Sequence, residues 1–326
     1  MVMPRRGKYI GLLTAALLCA PLLSSCSKES VAPLRIASSP WPGYEPMYLS
    51  RELGYQSPQQ VNVFELPSAD ISLEAFRNRT ADMATLTLDE TLELLASGVK
   101  LRILFVMDAS KGADAVMATP KIKTLADLKG RRIAIENIPL GGYMLTRTLN
   151  AAKLAREDVQ VVSASEAKQL EMYQQGKADA FITFDPFKSQ LAAQGAHVIF
   201  DSSQIPDEIF DLMVVHEDVF LARRKEVCEV GRQWYRTLDY MKQSPDEAGE
   251  RIAKRLGVTV MEYHAMVKGI SIPDKLDSLR LLSGNSPAIA TPAANLVQVM
   301  LKEHQLKHSV DIKVALDANL EDCLSK

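Results

Sequence analysis

Between Leu34 and His216 the chain alternates short β-type apolar runs with stretches whose apolar residues recur at helical spacing. The runs begin near Leu34, Gln60, Met83, Arg102, Ala115, Arg132, Val159, Ala180, His197 and Leu212, and helical patterns begin near Pro46, Ser68, Asp89, Thr124, Gly142, Glu166 and Pro186. Such alternation predicts open, mostly parallel sheets flanked by helices, the α/β class. After His216 the periodicity is almost wholly helical, broken at Pro245, Gly257, Gly269 and the segment Ser283 to Pro287. Thr124 with Asp127 three residues on predicts a capped start, with Gly130 as the stop. Pro46 and Gly54 bracket the first helix in the same way. No internal repeat is evident along the chain.

The region ahead of this alternation has a different pattern. Arg5, Arg6 and Lys8 precede the apolar stretch "YIGLLTAALLCAPLL", which is too short and proline-interrupted for a membrane span and reads as a signal peptide over residues 1–25. Leu23-Ser24-Ser25-Cys26 resembles the lipobox of bacterial lipoproteins. That resemblance implies cleavage before Cys26, its lipidation (a palmitate-type anchor), and a polar tether over residues 26–33. A plain secretory signal with an incidental cysteine is the alternative. Removing the three basic residues leaves roughly 35 against 40 acidic ones, a net charge of about −5. With no basic patch interleaved with aromatics, nucleic acid is not an expected partner. Of the cysteines after Cys26, Cys228 and Cys323 are open to pairing in an oxidising envelope and equally to remaining free thiols. A mature chain near 300 residues suggests two domains or lobes.

Chemistry of a catalytic kind is not written in the chain. The five histidines are scattered, there is no HExxH, CxxC, GxGxxG or P-loop, and no metal or cofactor is expected. The unusual stretch is "SSPWPGYEPMYLSRELGY", where Trp41 and Tyr44 sit on a proline-stiffened turn directly after a strand. In open α/β sheets ligands sit beyond the carboxyl ends of strands. Three further turns hold that position: Thr87 and Asp89, Gly142 with Tyr143, and Asp185 before Pro186.

At this level the chain resembles the solute-binding proteins of ABC importers of the nitrate/sulfonate/taurine type, which include binders of thiamine-pyrimidine precursors. The resemblance rests on "LRIASSPWPGYEPMYLSRELGY", "ADMATLTLDETLELLASGVKLRILFVMDASKGADAVMA", "IKTLADLKGRRIAIE", "LGGYMLTRTLNAAKLAREDVQVV", "GKADAFITFDPF" and "VIFDSSQIPDEIFDLMVVHEDVF", in this order over nearly all the mature chain. It implies a type II periplasmic-binding fold, with a first lobe of residues 34–117 plus 212–326, a second of residues 118–211, and hinge passages near Ala115 to Ala118 and Asp211 to Val215. Ligand would lie between the lobes against Trp41, Tyr44, Thr87, Asp89, Ser110, Asp114, Gly142, Tyr143, Asp185 and Asp211. Plainer roles compete for several: Trp41 as a plug in its own lobe, Asp89 and Asp185 as helix caps, and Ser110, Asp114 and Asp211 as hinge structure.

Acidic residues crowd these turns, Glu45 and Glu136 among them, and basic ones are few. The ligand expected is therefore a small polar organic molecule with an amine or other donor, either an aminosulfonate or sulfonate-like solute or a nitrogen heterocycle, rather than a bare anion. Trp41→Ala is expected to weaken binding with stability largely intact. The protein implied is a monomeric, periplasmic, lipid-anchored binding component serving an ABC permease and catalysing nothing. The alternative is a ligand sensor presenting its closed form to a membrane receptor. Ser27 after the cysteine resembles the pattern exported to the outer membrane in enteric bacteria.

Overall fold

A computed structural model describes residues 32–325. The signal-peptide reading of residues 1–25, the anchor at Cys26 and nearly all of the tether lie outside these residues. The strands are β1 (Leu34–Ser38), β2 (Val61–Glu65), β3 (Met83–Thr87), β4 (Leu101–Ser110), β5 (Ala115–Ala118), β6 (Arg132–Ile135), β7 (Gln160–Ser163), β8 (Ala180–Thr183), β9 (His197–Asp201), β10 (Phe210–His216) and β11 (Ile270–Ser271). The helices are α1 (Glu45–Glu52), α2 (Ala69–Arg77), α3 (Leu88–Ala96), α4 (Pro139–Ala152), α5 (Glu166–Gln174), α6 (Phe187–Ala193), α7 (Glu217–Ala222), α8 (Arg224–Gln243), α9 (Pro245–Leu256), α10 (Val260–Val267), α11 (Lys275–Leu282), α12 (Ala290–Lys302) and α13 (Leu320–Ser325).

The strands form two sheets, ordered β11-β4-β10-β3-β1-β2 and β7-β6-β8-β5-β9. Both are mixed, not mostly parallel. The β1/β2/β3 and β6/β7/β8 pairings are parallel, whereas β10 and β5 run antiparallel to both neighbours. The physical reason is the route of the chain. It leaves the first sheet at β4, enters the second directly as β5, and returns from β9 as β10, so each incoming strand runs against the crossover-linked ones.

The hinge passages therefore fall earlier than the sequence places them. Ala115–Ala118 pair with β8 and β9 of the second sheet, and Asp211 to Val215 pair within the first. The crossings are residues 111–114 and 202–209, and they are tied together. Ser110 Oγ lies 2.7 Å from Ser202 Oγ, Gly112 N–H donates to Ser202 Oγ at 2.6 Å, and Ser202 N–H donates to the Asp114 carbonyl at 2.9 Å.

The two sheets share a plan that is not evident along the chain. Leaving out β11, the orders β2-β1-β3-β10-β4 and β7-β6-β8-β5-β9 match in direction strand for strand. Each carries the same clasp. Arg35 on β1 grips Asp82, with side-chain bonds of 2.8 and 3.0 Å and its own N–H at 2.9 Å, and Arg132 on β6 grips Asp179 through three bonds of 3.0 Å. The acid follows the arginine by 47 residues in both.

Local expectations hold where a side chain can satisfy a chain end nearby. The Asp127 carboxylate accepts the Thr124 N–H at 2.9 Å, although the turn it starts is a 3-10 segment, Leu125–Leu128, rather than a full helix. Gly130 and Gly54 have φ of 75° and 73°, the left-handed stop. Residues Pro33–Lys326 form one compact unit whose main apolar core runs through both sheets, in place of two separate cores. The C-terminal helices cover the first sheet. Phe105 of β4 stacks on Trp234 of α8 at 5.2 Å, and α13 is fastened to α8 by a Cys228–Cys323 disulfide.

Candidate functional site

The carboxyl end of β1 leads into Ser39 and Pro40. Trp41 then caps a 3-10 turn, Pro42–Tyr44, that feeds α1 with Pro46 in its first turn. Gly43 explains the compactness of this turn, because a Cβ there would collide with the Asp108 carboxylate and the Trp41 indole. With that space free, Trp41 Nε1–H donates to Asp108 Oδ2 at 2.9 Å and Tyr44 O–H to Asp211 Oδ1 at 2.5 Å. Asp108 and Asp211 are opposite one another on β4 and β10, and Asp211 is opposite Thr87 on β3. Three adjacent strands thus present polar side chains at one level.

Over this edge lies a cavity of about 30 Å³, room for about two waters. The first sheet and its helices supply Ser39, Pro40, Trp41, Tyr44, Ala69, Thr85, Thr87, Glu90 and Asp211. The second sheet and its crossing supply Asp114, Ile138, Leu140 and Phe184. Phe184 follows β8 and meets Trp41 edge-on at 5.4 Å. Larger hollows of about 420 and 490 Å³ lie elsewhere. The polar groups of the larger one include the paired Arg79 and Asp218.

The carboxylates here are strongly perturbed. Burial pushes Asp108 up to about 7, eased by the Trp41 bond, and Asp114 up to about 6, eased by Ser110 and by the charge of Lys188. Burial pushes Glu90 and Asp211 well up, with the charges of Asp89 and Asp108 respectively adding to it. Burial also raises Asp89 to about 7. Glu90 Oε1 is buried without a hydrogen-bond partner, while Asp108 adjoins Asp211 and Asp89 adjoins Thr87. No Lys, Arg or His lines the cavity.

Of the residues singled out in the sequence, Trp41, Tyr44, Thr87, Asp114 and Asp211 line this cavity; the others are placed elsewhere. Asp89 is not the cap of α3. Thr87 holds that position, and the Glu90 carboxylate accepts the Thr87 N–H at 2.9 Å. Ser110 belongs to the tie between the crossings. Gly142 does not offer its amide to a ligand: α4 starts earlier, at Pro139, its N–H is bonded to the Ile138 carbonyl, and Gln305 fills the space beside its Cα. Tyr143 donates to Glu208. Asp185 accepts the Ser189 N–H at 3.0 Å and pairs with Lys188 at 3.2 Å, a structural cap. Glu45 is taken up by Arg255 of α9. Trp41 is 7% exposed and part of the main core, so Trp41→Ala would cost stability as well as binding, against the expectation of an intact fold.

Sequence reasoning missed Glu90, Asp108 and Phe184. Glu90 was legible, standing three residues after Thr87 as a capping-box acid. Phe184 stands out only once the two sheets are matched, when "TLDE" and "TFDP" align Thr87 with Thr183 and Asp89 with Asp185. Asp108 lies inside a buried apolar run and only strand register brings it to the edge.

This architecture is that of the periplasmic binding proteins. The alkanesulfonate-binding protein SsuA from Xanthomonas axonopodis pv. citri, bound to MOPS, superposes with a TM-score of 0.73 at 18% identity, over 89% of this chain and 99% of that one. The desulfurization enzyme DszB shares the fold with a TM-score of 0.64 at 16% identity, over 89% and 99%. The chain belongs to the NMT1/THI5-like family, whose sequence profile matches residues 41–248. A putative aliphatic sulfonates-binding protein of Escherichia coli (strain K12) is 28% identical over 138 residues, 42% of this chain and 43% of that protein.

Proposed function

We propose that the chain is an extracytoplasmic solute-binding protein. It is lipid-anchored through Cys26, holds one small polar organic solute between its two sheets, which must part to admit it because the cavity as it stands has room for about two waters, and hands it to an ABC permease. The solute carries a nitrogen donor. The observation that carries the reading is the cavity built from both sheets, bridged by two tied crossings. A solute there contacts residues 34–110 and 210–325 on one side and residues 115–201 on the other, so closing around it gains contacts that an open form lacks. The names of the E. coli and Xanthomonas relatives, both sulfonate binders, support solute capture as the activity. DszB makes catalysis the rival for this fold. No cysteine or histidine lines the cavity, and the two cysteines of the compact unit are bonded to each other, which favours binding without turnover.

Equilibrium dialysis of the purified protein with a stabilising solute tests this. The solute should be retained and recovered chemically unchanged, with a more compact particle in small-angle scattering. Recovery of a product in place of the solute would assign the site to catalysis. Attachment is tested separately, since Cys26→Ser should release the protein from the membrane fraction.

A further inference from the structure

A sulfonate or other oxyanion in a cleft of this kind is ordinarily held by free N–H groups at helix starts or by basic side chains. At three helix starts the chain fills one such place itself, whereas α4, whose Ile138 and Leu140 line the cavity, starts without a side-chain cap. The Asp70 carboxylate accepts the Ile71 N–H at the start of α2 (2.8 Å), Glu90 accepts the Thr87 N–H at the start of α3 (2.9 Å), and Asp185 accepts the Ser189 N–H in α6 (3.0 Å). Lys188, whose charge acts on Asp114, is engaged by Asp185 and by the carbonyls of Gly112 (3.4 Å) and Ala113 (3.2 Å).

What the cavity leaves free is of the opposite kind. Glu90, 2% exposed, lines it with Oε1 unpartnered, and Asp108, fully buried outside the lining, stands against Trp41 and Asp211. Asp114 and Asp211 complete a set of acidic groups from four elements, while Trp41, Tyr44 and Phe184 present ring surface to the same space. A lining rich in carboxylates, without a basic side chain and next to aromatic rings, matches a group that donates hydrogen bonds and carries positive charge.

We propose that the solute is an organic cation, a protonated amine or amidinium, whose N–H groups bond the free oxygen of Glu90 and the carboxylates of Asp114 and Asp211 and whose body lies against Trp41, Tyr44 and Phe184. This rests on the solute-binding reading above and narrows it away from sulfonates, whose negative charge would be buried beside Glu90, Asp114 and Asp211 with no basic side chain in the lining to offset it. The cation also answers the cost of burying these acids. Asp108 faces Trp41, Asp211 and Asp114; Glu90 faces Thr87, Asp89 and Glu136; Asp114 faces Ser110 and Lys188. With the carboxyls raised by burial, the empty site holds protons near neutral pH, and a cation displaces them, so its affinity rises with pH.

The test is thermal shift followed by calorimetry on the full chain with ethanolamine, choline, agmatine and putrescine, against ethanesulfonate, nitrate, Ca²⁺ and Zn²⁺. At least one organic cation should raise Tm, bind about tenfold tighter near pH 8 than near pH 5, and lose about tenfold or more in affinity in Glu90→Gln. Asp114→Asn, which leaves the α3 cap untouched, should lower affinity in the same direction should Glu90→Gln fold poorly. Stabilisation by ethanesulfonate, nitrate or a metal ion alone overturns the inference while leaving solute binding in place. So does the failure of every cation at about 10 mM, or unchanged cation affinity in both variants. Consumption of a bound cation overturns the solute-binding reading itself.

Discussion

The two sheets are built to one plan and used differently. Each begins with an arginine clasped to the aspartate 47 residues on, and each receives its antiparallel strand from the other. At the matching turn after β3 and β8, the first reads Thr87-Leu88-Asp89-Glu90 and the second Thr183-Phe184-Asp185-Pro186. The first turn aims a carboxylate into the cavity where the second aims an aromatic ring. Their support also differs. The inner strands β1, β3, β4 and β10 of the first sheet are nearly wholly buried, as are β5 and β8 of the second, but the second sheet's edges β7 and β9 are mostly half-exposed or exposed. Unpaired buried charge destabilises whatever holds it, and the chain places most of it on the better-supported sheet.

That contrast can be broken most severely at the support. Replacing both Cys228 and Cys323 by serine removes the bridge between α8 and α13 and should lower stability by about 2–5 kcal/mol. Amide exchange should accelerate in β1, β3 and β10 more than in β6 and β8; equal acceleration would mean that the sheets share one support. A smaller loss, about 1–3 kcal/mol, is expected for Gly43→Ala, whose methyl would strike Asp108 and Trp41 inside the packed turn. The corresponding change on the other side, Gly142→Ala, meets only the end of Gln305, a flexible side chain, and should cost under about 1 kcal/mol by denaturant titration.

Next in size is the pH response of the empty protein. Asp108 and Asp89 (about 7) and Asp114 (about 6) have folded values above the ordinary carboxylate range. Their contribution to stability is fully present below about pH 4 and lost as pH rises through 6 to 7. Asp82 and Asp179 are held low, Asp82 by Arg35 against the opposing effect of burial and Asp179 by Arg132, and their contribution is lost as pH falls below about 4. Tm should therefore peak between about pH 4 and 6. Asp108→Asn should flatten the limb above the peak, and an unchanged limb would remove Asp108 from the account. The smallest effect compares the two clasps. Asp82→Ala should cost about 1–3 kcal/mol and Asp179→Ala about 1 kcal/mol less, because Asp179 is the more exposed of the two acids. Equal losses would show that the sheets are held alike.

Much of this protein was legible along the chain because local physics decides it. Apolar runs became strands, as from Leu34 and Arg132; Pro46, Gly54 and the Thr124–Asp127 pair start or stop elements, since satisfying a chain end needs only neighbours a few residues away. The turn at Trp41 could be placed at a strand's carboxyl end, and the acidic bias around it could be counted. Pairing, register and closeness in space could not, because they depend on which distant segments share a surface. Only the folded chain sets Asp108 opposite Asp211, brings Phe184 of one sheet to Trp41 of the other, joins Cys228 to Cys323 and fills the space beside Gly142 with Gln305. The crossings escaped for the same reason. Ala115–Ala118 and Asp211 to Val215 have strand patterns in either sheet, and only hydrogen bonds to β8 and β9, or to β3 and β4, decide which sheet each joins.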